Sequence, residues 1–243
     1  MTYCLGILLK TGLIMASDSR SNAGVDQLAT VCKQTLITRP GDRVISILSA
    51  GNLATSQAVV THLTQSMGSG REDRDMSTAM SLFDVATMVG ERLREVLTHD
   101  EKFVEPYGDA TASFLVGGQI QGEPPRLFQV YPAGNFIEAT ARSCFLQIGE
   151  TKYGKPILDR ILTPDFPLED AAKLTLLSFD ATLRSNLSVG PPIDMLVYEV
   201  GTFSGAGLRT LADDDPYFTA LREAYGAGLQ RLVESLPPPP SRP

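Results

Sequence analysis

The chain has no tryptophan, two histidines, three cysteines and six lysines among its 243 residues. Each scarcity removes a class of explanation. Cys4, Cys32 and Cys144 are too widely spaced for a disulfide framework or a zinc site. Cys4 and Cys144 stand in apolar runs and read as buried packing residues, so a reducing, cytoplasmic setting is expected. His62 and His99 have no partner at ligand spacing and read as ordinary surface or core residues. Acidic residues outnumber basic ones by 28 to 21, the net charge is −7, and no basic run occurs. Nucleic acid is therefore not an expected partner. No stretch approaches the ~18 apolar residues of a membrane span. The apolar start at residues 2–9 meets Lys10 and has no basic flank before it, so a secretory leader is not expected either. There is no Gly-x-Ser-x-Gly elbow, no Walker loop, and no Gly-x-Gly-x-x-Gly after a strand. The acidic residues 213–215 read as a helix start rather than a calcium loop.

What is present suits an ordinary globular chain, 43% hydrophobic and 20% charged, long enough to bury a substantial core. The pattern predicts one domain over residues 1–236 and a proline-rich extended tail over 237–243. Residues 2–10 and 13–16 read as two strands joined by a Thr11-Gly12 turn, with Asp18 at the end of the second. Further strands are expected at 25–32, 34–38, 44–48, 111–117, 126–131, 136–139, 144–148 and 193–200. Helices are expected at 52–66, 77–97, 151–162 and 168–184, and another begins with Asp215 as N-cap and Pro216 in its first turn. The clearest stripe is Leu82, Val85, Ala86, Val89, Leu93, Val96 and Leu97. Several strands are apolar on both faces, so both faces must be covered. Short turns between strands and one-sided helices then predict an α+β fold, a four-layer α/β/β/α sandwich of two antiparallel sheets.

The chemistry starts at residue 2. Once Met1 is removed, which its small neighbour permits, Thr2 carries a hydroxyl and a free α-amine on one residue. A free α-amine titrates near ~7.7–8.0 in isolation, so part of it is basic at neutral pH. Nucleophile and general base then sit together, a variant of the serine–histidine pairing. Asp18 lies near the chain start across the hairpin. Lys33 closes a following strand; an ammonium near a threonine hydroxyl favours its alkoxide, and a carboxylate beside the lysine fixes it. Ser49-Ala50-Gly51-Asn52 ends a strand and opens a helix, so the Gly51 amide can face a developing oxyanion.

Thr2, Ala-Ser-Asp-Ser-Arg at 16–20, Lys33 and Ser-Ala-Gly-Asn at 49–52 together resemble the N-terminal half of a proteasome β-subunit, and also the bacterial peptidase HslV. The resemblance is closest to the bacterial proteasome-like family Anbu, through the segments at 17–26, at 183–192 (Leu-Arg-Ser-Asn-Leu-Ser-Val-Gly-Pro-Pro) and at 214–218. It covers the chain except the proline tail. It implies an N-terminal nucleophile hydrolase in which Thr2 attacks a peptide carbonyl, Lys33 tunes it, Asp18 orients Lys33, and Gly51 stabilises the tetrahedral intermediate. Arg20 would be structural, and Asn186 and Ser188 would support the amine. No metal or organic cofactor is implied. The implied partners are peptide or unfolded-protein substrates and further copies of the chain in a ring or ring-like spiral; an unfoldase or adaptor is left open.

The chain departs from the family pattern in places. Lys33 is one residue closer to the nucleophile, which a shortened loop at 22–27 would explain. Tyr3 replaces a second threonine. The late Asp-x-x-Ser-Gly element appears as Asn186-Leu187-Ser188-Val189-Gly190, whose asparagine carries no charge. The usual Gly-Ser-Gly turn is Gly149-Glu150-Thr151, and Glu150 receives no catalytic role. The competing reading is a catalytically silent scaffold or peptide-binding subunit of the same fold, comparable to a proteasome α-subunit. Such subunits carry an extra segment before the first strand, which this sequence is not expected to have.

Overall fold

The computed structural model describes residues 1–22, 28–71 and 74–239. From the start, β1 (Tyr3–Leu8) and β2 (Gly12–Asp18) form a hairpin. β3 (Arg20–Asn22) pairs with β4 (Leu28–Thr30), and β5 (Gln34–Arg39) with β6 (Arg43–Gly51). Helices α1 (Leu53–Gln65) and α2 (Leu82–Val104) follow, then β7 (Ala112–Ile120), β8 (Arg126–Val130), β9 (Phe136–Glu138) and β10 (Phe145–Gly149). After these come α3 (Lys155–Ile161), α4 (Leu168–Ser185), β11 (Ile193–Glu199), β12 (Leu208–Leu211) and α5 (Pro216–Ser235).

The strands form two five-stranded antiparallel sheets, ordered β10-β1-β2-β11-β12 and β5-β6-β7-β8-β9, with β3-β4 as a separate ribbon. Alternation along each strand explains the layering, because successive side chains point to opposite faces. On β1, Tyr3, Leu5 and Ile7 join a core with Leu158 of α3, Leu174 and Phe179 of α4, and Phe218 of α5. Cys4 on the same strand faces the other way. It meets Leu48, Leu115, Leu127, Leu146 and Leu196 between the two sheets. On β6, Ile45 and Ile47 turn outward onto Val59 and Leu63 of α1 and onto Val85, Val89 and Leu93 of α2, while Val44 and Leu48 turn inward. The result is the four-layer α/β/β/α sandwich expected from the pattern.

Three helix starts are set by local chemistry. Asn52 accepts from the Thr55 amide at 3.2 Å, Ser81 from Asp84 at 3.1 Å and Asp215 from Phe218 at 2.8 Å, each satisfying an otherwise orphaned N–H. The Ser81 cap corrects the expected start of the long helix from 77 to Leu82. Residues 77 and 78 are instead drawn into a turn by Asp75, which accepts from the Ser77 amide at 2.8 Å. The helix also runs past 97 to Val104, across the polar run at 98–102, which interrupts the apolar stripe. The helix expected at 151–162 is confined to Lys155–Ile161. The strand expected at 25–32 coincides with β4 at 28–30. Residues 23–27, which include most of the loop thought to be shortened, and residues 240–243 of the tail lie outside the described residues.

Candidate active site

Asp18 is the hub. It is the last residue of β2 and is fully buried. Because Cys4 opposes Ser17 in the hairpin, the next pair outward brings Tyr3 against Asp18. The Tyr3 amide donates to Asp18 Oδ1 at 3.0 Å, and Lys33 Nζ donates to the same oxygen at 2.6 Å. The amides of Gly190 and Arg20 donate to Oδ2 at 3.1 and 3.2 Å. A buried carboxylate with four donors is satisfied. Burial pushes the Asp18 carboxyl above its ordinary value, and Lys33 with the Tyr3 and Gly190 amides pulls it part of the way back.

Lys33 is itself buried. Its ammonium donates a second bond to the Arg20 carbonyl at 2.6 Å, which fixes its direction. Its carbonyl accepts from Ser49 N at 3.1 Å, so the lysine is stitched to the end of β6, two residues before Gly51. Gly51 has φ +107°, and a β-carbon there would lie 2.5 Å from the Thr111 carbonyl oxygen, so only glycine fits. The Asn52 amide bonds that same carbonyl at 2.8 Å and α1 begins at once. Gly51 is exposed at this strand-to-helix corner.

Thr2 is half-buried just before β1, and its carbonyl accepts from Glu150 N at 2.7 Å. Arg20 has a structural position: its guanidinium donates to the Leu187 carbonyl at 2.7 Å and occupies the space a β-carbon on Gly190 would take. Asn186 caps the end of α4. Its amide nitrogen donates to Glu150 Oε2 at 3.0 Å and its oxygen accepts from Ser188 N at 2.9 Å. Ser188 is thus tied in through its backbone. Cys4 is fully buried beneath Ser49, its thiol 3.5 Å from the Ser49 carbonyl, and burial drives its pKa far up, as expected of a packing thiol.

The structure therefore brings together Thr2, Asp18, Lys33, Arg20 and the 186–190 segment, and stitches Gly51 to them through Ser49. Among the described residues, no cluster of three or more His, Cys, Asp or Glu could hold a metal, and no helix is long and apolar enough to cross a membrane. The family model for proteasome subunits matches residues 2–198. An Anbu (ancestral beta-subunit) structure from Yersinia bercovieri is 44% identical and superposes with a TM-score of 0.92 over 98% of this chain and 99% of its own. The chain belongs to the Anbu group of the proteasome-subunit family.

Another solved relative, the helical assembly of the Anbu complex from Pseudomonas aeruginosa, is 47% identical, with a TM-score of 0.92 over 98% of each chain. Proteasome subunit beta 2 of Pyrobaculum calidifontis is 29% identical over 80% of this chain and 87% of its own length. In this Anbu-type fold, two residues that sequence reasoning passed over stand close to the candidate site. Asp194 on β11 accepts from Ser19 Oγ at 3.2 Å and Thr210 Oγ1 at 2.6 Å, bracing the turn after Asp18. Its signal was weak, a lone acid in an apolar strand. Glu150 is buried beside Thr2; its signal was the coincidence of an extra carboxylate at one departure from the family pattern with a missing carboxylate at another.

Proposed function

We propose that this chain is a threonine peptidase of proteasome type, working through Thr2 after removal of Met1. The observation that carries the reading is the shared grip on Asp18 Oδ1: the backbone N–H of Tyr3, next to the nucleophile, and the ammonium of Lys33 converge on one buried oxygen. This fixes the chain start relative to a buried cation. Thr2 has the same parity along β1 as Cys4, whose side chain faces the gap between the sheets. That alternation favours a Thr2 hydroxyl directed toward Lys33 and the Ser49–Gly51 corner.

In this mechanism the Thr2 Oγ–C bond forms as the hydroxyl proton passes to the α-amine. Lys33 lowers the cost of the developing alkoxide, and Asp18 holds the Lys33 side chain in place. The Gly51 N–H donates to the carbonyl oxygen as negative charge develops on it. The ammonium of Thr2 then gives its proton to the leaving amine nitrogen as the peptide C–N bond breaks. Water, deprotonated by the same amine, hydrolyses the ester.

The substrates are peptides or unfolded segments, and further copies of the chain are the expected partners, in keeping with the helical assembly of the Pseudomonas aeruginosa Anbu complex. A cytoplasmic setting agrees with three free thiols. Hydrolysis of a fluorogenic peptide library by wild type, Thr2→Ala and Thr2→Ser tests the proposal. Turnover by wild type and Thr2→Ser, with none by Thr2→Ala, is expected. No turnover in any of the three would favour the silent-scaffold reading, and equal turnover in all three would overturn the role of Thr2.

A further inference from the structure

The carboxylate of Glu150 is 4% exposed. A charge so placed normally has a buried cation or several strong donors. Glu150 has instead the neutral Asn186 amide at 3.0 Å, the Lys152 N–H at 3.3 Å, and the Lys152 ammonium 3.8 Å away on a side chain that is 75% exposed. Two oxygens offer about four acceptor sites, and these contacts leave capacity. Its own backbone N–H donates to the Thr2 carbonyl at 2.7 Å. The preceding Gly149 opposes Tyr3 in the β1–β10 register, and a β-carbon on it would lie 2.0 Å from that same carbonyl oxygen. The turn after β10 is therefore clasped onto residue 2.

Asp18 cannot serve the amine as well. Its oxygens are taken by Lys33, Tyr3, Gly190 and Arg20. We propose that Glu150 is a positioning residue: held by Asn186, its buried carboxylate supplies the negative charge that orients the α-amine of Thr2 and strengthens it as a base. The inference rests on the peptidase reading of Thr2. The two carboxylates of the site then divide the work, Asp18 serving Lys33 and Glu150 serving the amine, while Asn186 contributes alignment without charge. Removal of Met1 places on Thr2 a second cation for Glu150, whose present ionic partner Lys152 is largely exposed. During acylation the hydroxyl proton passes to the amine rather than to Glu150.

The other titratable and charged groups on the surrounding elements include Asp18 on β2, Lys33 before β5, Arg20 on β3, Lys152 after β10, the Tyr3 hydroxyl and Cys4 thiol on β1, and the mutually paired Lys155–Asp159 of α3 and Arg184–Asp180 of α4. Asp18 and Lys33 offset one another, and burial holds the Tyr3 and Cys4 groups neutral. Glu150 is thus the carboxylate whose removal should change the amine's proton affinity.

The test is competitive acylation of the N-terminal amine of the full chain as a function of pH, read by mass spectrometry of the N-terminal peptide. Wild type, Glu150→Gln, Glu150→Asp and Asn186→Asp are compared. Loss of the charge in Glu150→Gln should lower the amine's pKa by about one unit, roughly a tenfold change in protonation. The acid limb of inactivation by a peptide epoxyketone should move the same way, and Glu150→Asp should restore much of the shift. Asn186→Asp, which adds a carboxylate, should raise the pKa; it keeps the question decidable if Glu150→Gln does not fold. Met1 absent with the same amine pKa in every variant would overturn the role of Glu150 and leave Thr2 standing. Met1 retained would overturn both.

Discussion

At the scale of residues, the Lys33–Asp18 pair sets the energetics of the site. Both side chains are almost fully buried, at 5% and 0% exposure, with 2.6 Å between the charged atoms. Removing one partner strands the other charge. Lys33→Met should therefore destabilise the fold by about 3–5 kcal/mol, whereas Lys33→Met combined with Asp18→Asn should recover much of that loss yet remain unreactive. Urea unfolding of the two single variants and the double variant measures this. The pH dependence has a defined sign. Asp18's carboxyl is raised in the fold from its ordinary value of 3.8, so the folded state binds that proton more tightly than the unfolded chain. Its contribution to stability should fall as pH rises from the ordinary value through the raised one, and level off above it. The stability difference between wild type and Asp18→Asn, followed over that window, should show this slope; a rise with pH would contradict it.

At the scale of elements, the site depends on how strands end. β10 ends in Gly149, at φ +82°, and the clasp onto Thr2 leaves no room for a side chain. Gly149→Ala should cost about 2–3 kcal/mol and slow epoxyketone modification of Thr2. Gly41, at φ +73° with open space around it, is the control: Gly41→Ala should cost about 1 kcal/mol and leave reactivity unchanged. Thermal unfolding and inactivation rates of both variants give the comparison. The same scale shows what was legible beforehand. The β1–β2 hairpin, the strand-to-helix corner at Gly51 and the long helix could be read because apolar periodicity and turn residues agree there. β12 could not: three of the four residues in Leu-Arg-Thr-Leu at 208–211 are exposed on an edge strand, so burial wrote no pattern into them. The strand at 20–22 was hidden because Arg-Ser-Asn is only three residues long and carries no apolar alternation. Glu150 showed only as an extra carboxylate at one departure set against a missing one at another, because no local pattern in Gly-Glu-Thr predicts that a glutamate will be enclosed.

At the scale of the whole molecule, the site straddles the two sheets. Thr2 and Asp18 belong to the β1–β2 side, while Gly51 belongs to β6 and Lys33 precedes β5. The proposed arrangement exists only when the sheets are packed. Leu127 is central to that packing: it is fully buried, and its methyl groups fill the space left by Gly6 on β1 of the other sheet and by Gly117 on the neighbouring strand β7. Leu127→Ala should destabilise the fold by about 2–5 kcal/mol through the cavity it leaves. Loss of Thr2 reactivity should coincide with unfolding in urea rather than precede it, because the buried Lys33–Asp18 pair is held within the packed sheets. Circular dichroism and inactivation rates recorded on the same urea series would separate the two behaviours.

The central claim is that Thr2, freed of Met1, is a nucleophile activated by its own amine and Lys33. Intact mass spectrometry before and after exposure to a peptide epoxyketone, on wild type and Thr2→Ala, tests it most directly. The account predicts a chain lacking Met1 that gains one adduct, mapped to Thr2 and absent from Thr2→Ala. A chain that keeps Met1 and gains none would contradict it.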